Sequence, residues 1–109
     1  MDKVYCGELN AYYGGMLTEH QSEILRLYYD CDMSLSEIAE INGTSRQAVR
    51  EGIVRSTEKL RVYEEKLGLI RKVKDLSDSL KKIIDEMDEQ ENPDVKQKLI
   101  SLLERIKEI

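Results

Sequence analysis

The spacing of small and polar residues between positions 34 and 53 constrains the fold of this chain more than any other feature. Ser34 is followed three residues later by Glu37, which is the pattern of a capping box at the start of a helix. Gly43 comes where a tight turn requires a positive φ angle, and Ser45 can cap a second helix directly after it. Ala39 is small enough to face a close crossing of the two helices. Together these offsets predict a helix-turn-helix.

The second helix of this motif should have one apolar face and one polar face. Ala48, Val49 and Ile53 are expected to point to the core, which directs the polar side chains at the start of the helix outward. That end enters the DNA major groove, where Arg can bind guanine O6 and N7 and Gln can bind adenine N6 and N7. A serine cap and the helix N-terminus can contact a phosphate. The predicted DNA-binding residues are Ser45, Arg46, Gln47, Arg50, Arg55 and Lys59.

Two residues interrupt this predicted surface. Glu51 repels phosphate and so opposes DNA binding locally. Gly52 lowers the stability of the helix by about 1 kcal/mol relative to alanine. We interpret Gly52 as space for a packed neighbour, with a functional bend as the alternative.

The charged residues divide the chain into three segments of alternating sign. Residues 1–44 carry two basic and eight acidic residues, residues 45–74 carry nine and four, and residues 75–109 carry six and ten. The net charge of the whole chain is −5, which taken alone argues against nucleic-acid binding. Because the basic segment begins at the Ser45 cap, the distribution favours a local contact with DNA.

Apolar periodicity and capping signals define the flanking helices. A first helix is predicted over residues 3–14 and is ended by a glycine pair, since glycine tolerates the left-handed conformation. A second helix starts at a Thr18 cap and runs to about Cys31, and a third ends near Ile41. The helix that follows the turn runs to about Leu67.

After a break at Gly68, apolar residues recur with the heptad rhythm of a coiled-coil seam. Asn92 and Pro93 have the sequence of a helix start, with Asn as the cap and Pro in the first position. The two apolar rows are Leu69, Val73, Leu76, Leu80, Ile83 and Met87, and then Val95, Leu99, Leu102, Ile106 and Ile109. The predicted fold is therefore all-α: a helix-turn-helix domain of the winged-helix or sigma region 4 kind over residues 1–68, followed by a C-terminal helical arm or hairpin over residues 69–109.

The C-terminal rows bury apolar surface only when they meet a partner. A two-helix unit of this size is too small to bury a good core alone, and a lone helix-turn-helix reads only a short half-site of DNA. A homodimer with two-fold symmetry satisfies both conditions. The alternatives are a hairpin that hides both rows within one chain, or folding back onto Tyr12, Tyr13 and Tyr63.

No motif of an enzyme, a cofactor site or a metal site is present in the sequence. Cys6 and Cys31 are far apart, and the single His20 cannot complete a usual zinc site with them. His20 is best interpreted as a solvated helix residue. No apolar run is long enough to cross a membrane. We therefore expect a non-enzymatic protein without a cofactor, located in the cytoplasm.

Residues 17–29, 34–39 and 45–49 resemble the YlxM family of bacterial helix-turn-helix proteins. The resemblance covers about residues 5–70, and its helix-turn-helix is similar to region 4 of sigma-70-type factors. It implies a regulator of transcription linked to the signal recognition particle pathway. Arg50 and Gly52 stand where an aromatic residue and an Asn are expected in many relatives, so no base preference is implied.

A protein-interaction module is the main alternative to a DNA-binding regulator. Helix-turn-helix units can bind protein instead of DNA, and the acidic residues 1–44 would suit a basic partner. The resemblance suggests a signal recognition particle component or RNA polymerase as that partner. Stacking of the tyrosine pairs on RNA bases is disfavoured, because no basic residues are interleaved with them.

Overall fold

Six helices account for most of this chain in a computed structural model that describes residues 2–88 and 92–109. Their bounds are α1 Lys3–Tyr13, α2 Glu19–Tyr29, α3 Leu35–Asn42, α4 Arg46–Leu67, α5 Leu69–Glu86 and α6 Pro93–Lys107, with a 3-10 turn at Gly14–Met16. No strand, and hence no β wing, is present within the described ranges. The all-α prediction is confirmed. Residues 89–91 of the predicted connection between α5 and α6 lie outside the described residues.

The helices begin where local hydrogen bonds satisfy free backbone amides. Ser34 Oγ accepts from the Glu37 N–H at 3.1 Å, and Glu37 Oε1 accepts from the Ser34 N–H at 3.1 Å, which completes the predicted capping box. Thr18 caps α2 in the same reciprocal way with Gln21. Asn92 precedes α6, but its side chain makes no capping hydrogen bond, so Pro93 alone marks that start.

Some of the helices end at a residue with a left-handed backbone conformation, and others do not. Gly43 and Gly68 have φ angles of 65° and 63°, as expected of glycines that end helices. The chain leaves α2 at Tyr29, two residues earlier than predicted, and Asp32 then takes a φ of 56°. The first helix ends at the predicted glycine pair, but not through a left-handed residue: Gly14 has a φ of −57°, and the chain continues into the 3-10 turn.

The structure divides into two compact units, residues 1–68 and 69–109. In the first unit, α1, α2 and α3 all pack against α4. Its most deeply buried side chains come one from each helix and are Leu9, Leu25, Ile38 and Leu60. Four helices thus share one core, which leaves the opposite side of α4 in solvent.

In the second unit, α5 packs against α6 as a hairpin. Burial agrees with the predicted rows at Leu80 but differs elsewhere: Ile70 and Ile84 are buried, whereas Leu76 and Ile83 are 62% and 52% exposed. Both the predicted and the observed buried residues of α5 fit the heptad rhythm, because a shift of one residue rotates the buried face by only about 100° around the helix axis. The packing of the unit selects the set that includes Ile84.

Candidate nucleic-acid interface

The first turns of α4 are held by its contact with α3. Ala39 is only 4% exposed at this crossing, and Val49 and Ile53 are each 4% exposed on the inner face of α4. Ser45 Oγ accepts from the Ala48 N–H at 3.1 Å, so the cap of the helix is formed as predicted. Ala48 itself is exposed, and the expectation that it points to the core was wrong. It precedes Val49 by one residue and therefore lies about 100° away on the helix.

Arg46 and Arg50 extend from the exposed side of these first turns. Each guanidinium is unpaired with respect to every carboxylate in the described residues. Arg61, further along the same helix, differs in this respect: it donates to Glu58 at 2.6 Å and to Glu65 at 3.4 Å. Two cations at the start of α4 are therefore available to an anionic partner.

The pKa values of Glu58 and Arg61 reflect their pairing. The hydrogen bond from Arg61 lowers the pKa of the Glu58 carboxyl, and the same contact raises the pKa of the Arg61 guanidinium. The two side chains form an ion pair on the surface. Arg61 consequently serves as a matched, paired reference for the basic residues of the predicted site.

Gln47 is not free on the exposed face. Its Nε2 donates to Glu51 Oε1 at 3.0 Å, one turn further along the helix. This leaves the amide oxygen and one amide hydrogen of Gln47 for a base. The spacing of four residues was the available signal for this pair, since such residues face each other on a helix.

Arg55 and Lys59 do not share a side of α4 with Arg46 and Arg50. A separation of five residues turns Arg55 about 140° away from Arg50 around the helix axis. Arg55 instead borders a cleft with His20 and other residues of α2. The predicted site is thus split into an N-terminal group, Arg46 and Arg50, and a second basic flank, Arg55 and Lys59, of which Arg55 borders the cleft beside α2.

Gly52 lies between these two groups and is not packed against a neighbour. A Cβ atom added there would meet no heavy atom within 4 Å. The interpretation of Gly52 as packing space was therefore wrong. Gly52 does not interrupt α4, which is a single helix from Arg46 to Leu67.

The structure also brings together residues that the sequence does not connect. His20 borders the same cleft as Arg55, although the two residues are 35 positions apart along the chain. Ser56, the neighbour of Arg55 in sequence, borders the cleft as well. Ser56 is 7% exposed, one of two polar side chains among those buried in the described residues. Helical periodicity could have placed Ser56 on the buried face, but only the packing of α2 on α4 identifies His20.

Comparison with known protein families agrees with this architecture. The model of the family described as "Putative helix-turn-helix protein, YlxM / p13 like" matches residues 1–102. The chain belongs to the YlxM/p13-like family. The match extends beyond residues 5–70, where the sequence alone showed the resemblance, and includes α5 and most of α6.

Members of the YlxM/p13-like family from several bacteria align over most of the chain. A UPF0122 protein of Desulforamulus reducens is 43% identical over 92% of this chain and 88% of its own length. A UPF0122 protein of Clostridium novyi is 39% identical over 97% and 92%, and one of Clostridium acetobutylicum is 44% identical over 79% and 74%. Among the described residues, no helix combines the length and apolar character that a membrane crossing requires.

Proposed function

We propose that this YlxM-family protein binds double-stranded DNA through the start of α4 and acts as a regulator of transcription. The observation that carries the proposal is the pair of exposed, unpaired guanidinium groups of Arg46 and Arg50, held on the outer side of a packed helix-turn-helix. Gln47 lies beside them with one face of its amide open. These are the residue types that contact base edges in the major groove.

The other predicted residues are suited to contacts with the DNA backbone rather than with base edges. The Ser45 hydroxyl accepts from a backbone amide, and its own proton remains available to a phosphate oxygen. Arg55 and Lys59 lie on the other flank of the helix, where a groove-bound helix meets the sugar-phosphate backbone. We assign the recognition of base sequence to Arg46, Gln47 and Arg50. We assign the electrostatic part of the affinity for DNA to Arg55 and Lys59.

The test is DNA binding measured after selection of bound duplexes from a random pool. Arg46→Ala and Arg50→Ala should each weaken binding to a selected duplex by about 1–3 kcal/mol, and affinity should fall as salt increases. Arg61→Ala is the matched control, because its guanidinium is already paired with Glu58 and Glu65. The proposal would be refuted if the protein bound no duplex at low salt. It would also be refuted if the variant with both Arg46→Ala and Arg50→Ala bound the selected duplex as tightly as the unsubstituted protein.

The competing function is binding of a protein or ribonucleoprotein of the signal recognition particle pathway, or of RNA polymerase, without specific DNA recognition. The acidic character of residues 1–44 favours a basic partner. A pull-down from bacterial lysate with and without nuclease separates the two functions. Loss of all partners after DNase treatment alone supports DNA binding. A partner that is lost only after RNase treatment, or a defined protein that is retained after both treatments, supports the competitor.

We propose in addition that the protein forms a homodimer through the second unit. Exposed apolar residues recur at intervals of seven on both helices, Leu76 and Ile83 on α5, and Val95 and Leu102 on α6, with Ile109 just beyond its end. By helical periodicity the exposed residues of each helix lie along one side of that helix. Packing of these sides against a two-fold copy would form a four-helix bundle.

Light scattering tests the dimer. The double substitution of Leu76 and Leu102 by Glu should convert a dimer into a monomer, whereas Met16→Glu should not, although Met16 is 58% exposed as well. Truncation after Gly68 should give a monomer in which the helix-turn-helix still folds. A strict monomer at tens of micromolar, with ordered α5 and α6, contradicts the proposal.

We propose that the chain is a binding protein and not an enzyme, and that it acts in the bacterial cytoplasm, where its DNA partner lies. The proposal assigns no catalytic role to any residue and requires no cofactor. Hydrolytic activity of the purified protein on nucleotides or nucleic acid, lost in Arg46→Ala or Arg55→Ala but not in Arg61→Ala, would contradict it.

A further inference from the structure

We propose that the cleft between α2 and α4 is a binding site for a phosphate group. The cleft has a volume of about 170 Å³ and is lined by His20, Gln21, Ile24, Gly52, Arg55 and Ser56. This site is separate from the base-reading turn at Arg46 and Arg50, and it does not require that turn to bind DNA.

The size of the cleft selects the class of ligand. Sites for cofactors and other drug-sized ligands typically have volumes of about 300–1,000 Å³, so this cleft is too small for a whole nucleotide. A tetrahedral oxyanion is a suitable size. Gly52 keeps the wall open, since no heavy atom lies within 4 Å of the position that its Cβ would take.

The charges that border the cleft favour an anion. Arg55 is unpaired with respect to the carboxylates of the described residues, and His20 supplies an imidazole from the first turn of α2. The positive end of the α2 dipole lies in the same turn. Glu19 shares that turn, but it borders a different surface groove, with Gly14 and Ser22.

Ser56 is the independent observation that points to a ligand. Its side chain is more than nine-tenths buried and borders the cleft, yet its hydroxyl makes no hydrogen bond to any described residue. Every buried side-chain oxygen in the described residues is either hydrogen-bonded or in contact with solvent, so the unpaired Ser56 hydroxyl keeps solvent contact at a residue that lines the cleft. A phosphate oxygen there could accept from Ser56 and from Arg55 together.

The test is a titration of the full chain with inorganic phosphate, followed by NMR of the backbone amides and arginine Nε–H groups. Sodium chloride at matched ionic strength is the blank. We expect saturable shifts confined to His20, Ser56 and Arg55, which Arg55→Gln should abolish and Arg61→Gln should leave unchanged. Shifts that are spread over the surface, or that persist equally in Arg55→Gln, overturn the proposal.

Gly52→Ala separates ligand binding from folding. Its methyl group should narrow the cleft and weaken phosphate binding several-fold, while its higher helix propensity should raise the urea midpoint. Gly15→Ala is the matched control, because a Cβ there also meets no atom within 4 Å but lies outside the cleft. Unchanged phosphate affinity in Gly52→Ala overturns the assignment of this cleft.

Two sources of phosphate are distinguished by a second measurement, the salt dependence of binding to a duplex of unrelated sequence. If the cleft holds a DNA backbone phosphate, Arg55→Gln should lower the slope of log affinity against log salt by about one. If the slope is unchanged while inorganic phosphate still binds, the ligand is a free phosphate-bearing metabolite. Failure of DNA binding alone refutes the proposed function and leaves the phosphate site standing.

Discussion

Gln47 donates a hydrogen bond from Nε2 to Oε1 of Glu51 at 3.0 Å on the exposed face of α4. The contact fixes the amide of a predicted base-reading residue and places a negative charge between two basic flanks. A carboxylate in this position repels the phosphates of any duplex, and its usual partner among the base edges is the cytosine amino group. Under the proposed function we therefore expect Glu51 to lower affinity for unrelated DNA and to contribute to selectivity.

We predict that Glu51→Gln tightens binding to duplexes of random sequence by roughly twofold to fivefold at low salt, because one repulsive charge is removed. Fluorescence anisotropy with a labelled duplex measures the change. Glu8→Gln, an exposed acid on α1, should have a smaller effect. Weaker binding of Glu51→Gln to random duplexes would contradict this role.

Tyr13→Phe should lower the free energy of unfolding by about 1.5–3 kcal/mol, since the phenol donates to a carboxylate. Tyr13 is buried, and its hydroxyl lies 2.6 Å from Glu64 Oε1, which ties α1 to α4. The ring contact with Tyr63 is retained in the variant. Urea denaturation measures the loss. Tyr12→Phe should be nearly neutral, because the Tyr12 hydroxyl makes no hydrogen bond to the part of the chain that the structure describes.

Gly14→Ala should destabilise the first unit by roughly 1–3 kcal/mol, as expected for overpacking. A Cβ atom there would lie 2.6 Å from Asn10 Oδ1 and 2.8 Å from Ser22 Oγ, two atoms that are hydrogen-bonded to each other. Gly15→Ala meets nothing within 4 Å and should change stability little. Equal thermal midpoints for the two variants would show that this contact relaxes freely.

Gly43→Ala should cost about 1–2 kcal/mol, although space is available for its Cβ, because the left-handed backbone is strained for residues with a side chain. Gly43→Asn should cost less, since Asn tolerates this conformation. Both substitutions leave α3 and α4 in register, so DNA affinity measured below the unfolding transition should be retained. A larger loss in the Asn variant than in the Ala variant would contradict the explanation.

Tyr29 should make stability depend on alkaline pH. Burial raises the pKa of its phenol above the ordinary value of 10.0. The stabilisation is therefore complete below pH 10 and is lost as the pH rises through the folded pKa. Tyr29 also shares a hydrogen bond of 2.9 Å with Thr57. Tyr29→Phe should be less stable at neutral pH, and the difference should narrow above pH 10; a constant difference would contradict the prediction.

The sequence by itself determined where the helices start and turn, because those features depend on local chemistry. Ser34 and Ser45 cap helices through backbone amides three residues away, and Gly43 supplies the left-handed residue of the turn. No distant partner is needed for these interactions. The inward position of Val49 and Ile53 follows in the same way from the periodicity of one amphipathic helix.

Only the tertiary structure decided which side chains meet across helices. His20 and Arg55 border one cleft because α2 packs on α4, and no local rule relates residues so far apart in sequence. In the hairpin, Ile84 is buried and Ile83 is exposed, although both fit the apolar rhythm. Periodicity fixes a face only to within about one residue, or 100° of rotation, and the shape of the packed neighbour selects the position that is buried.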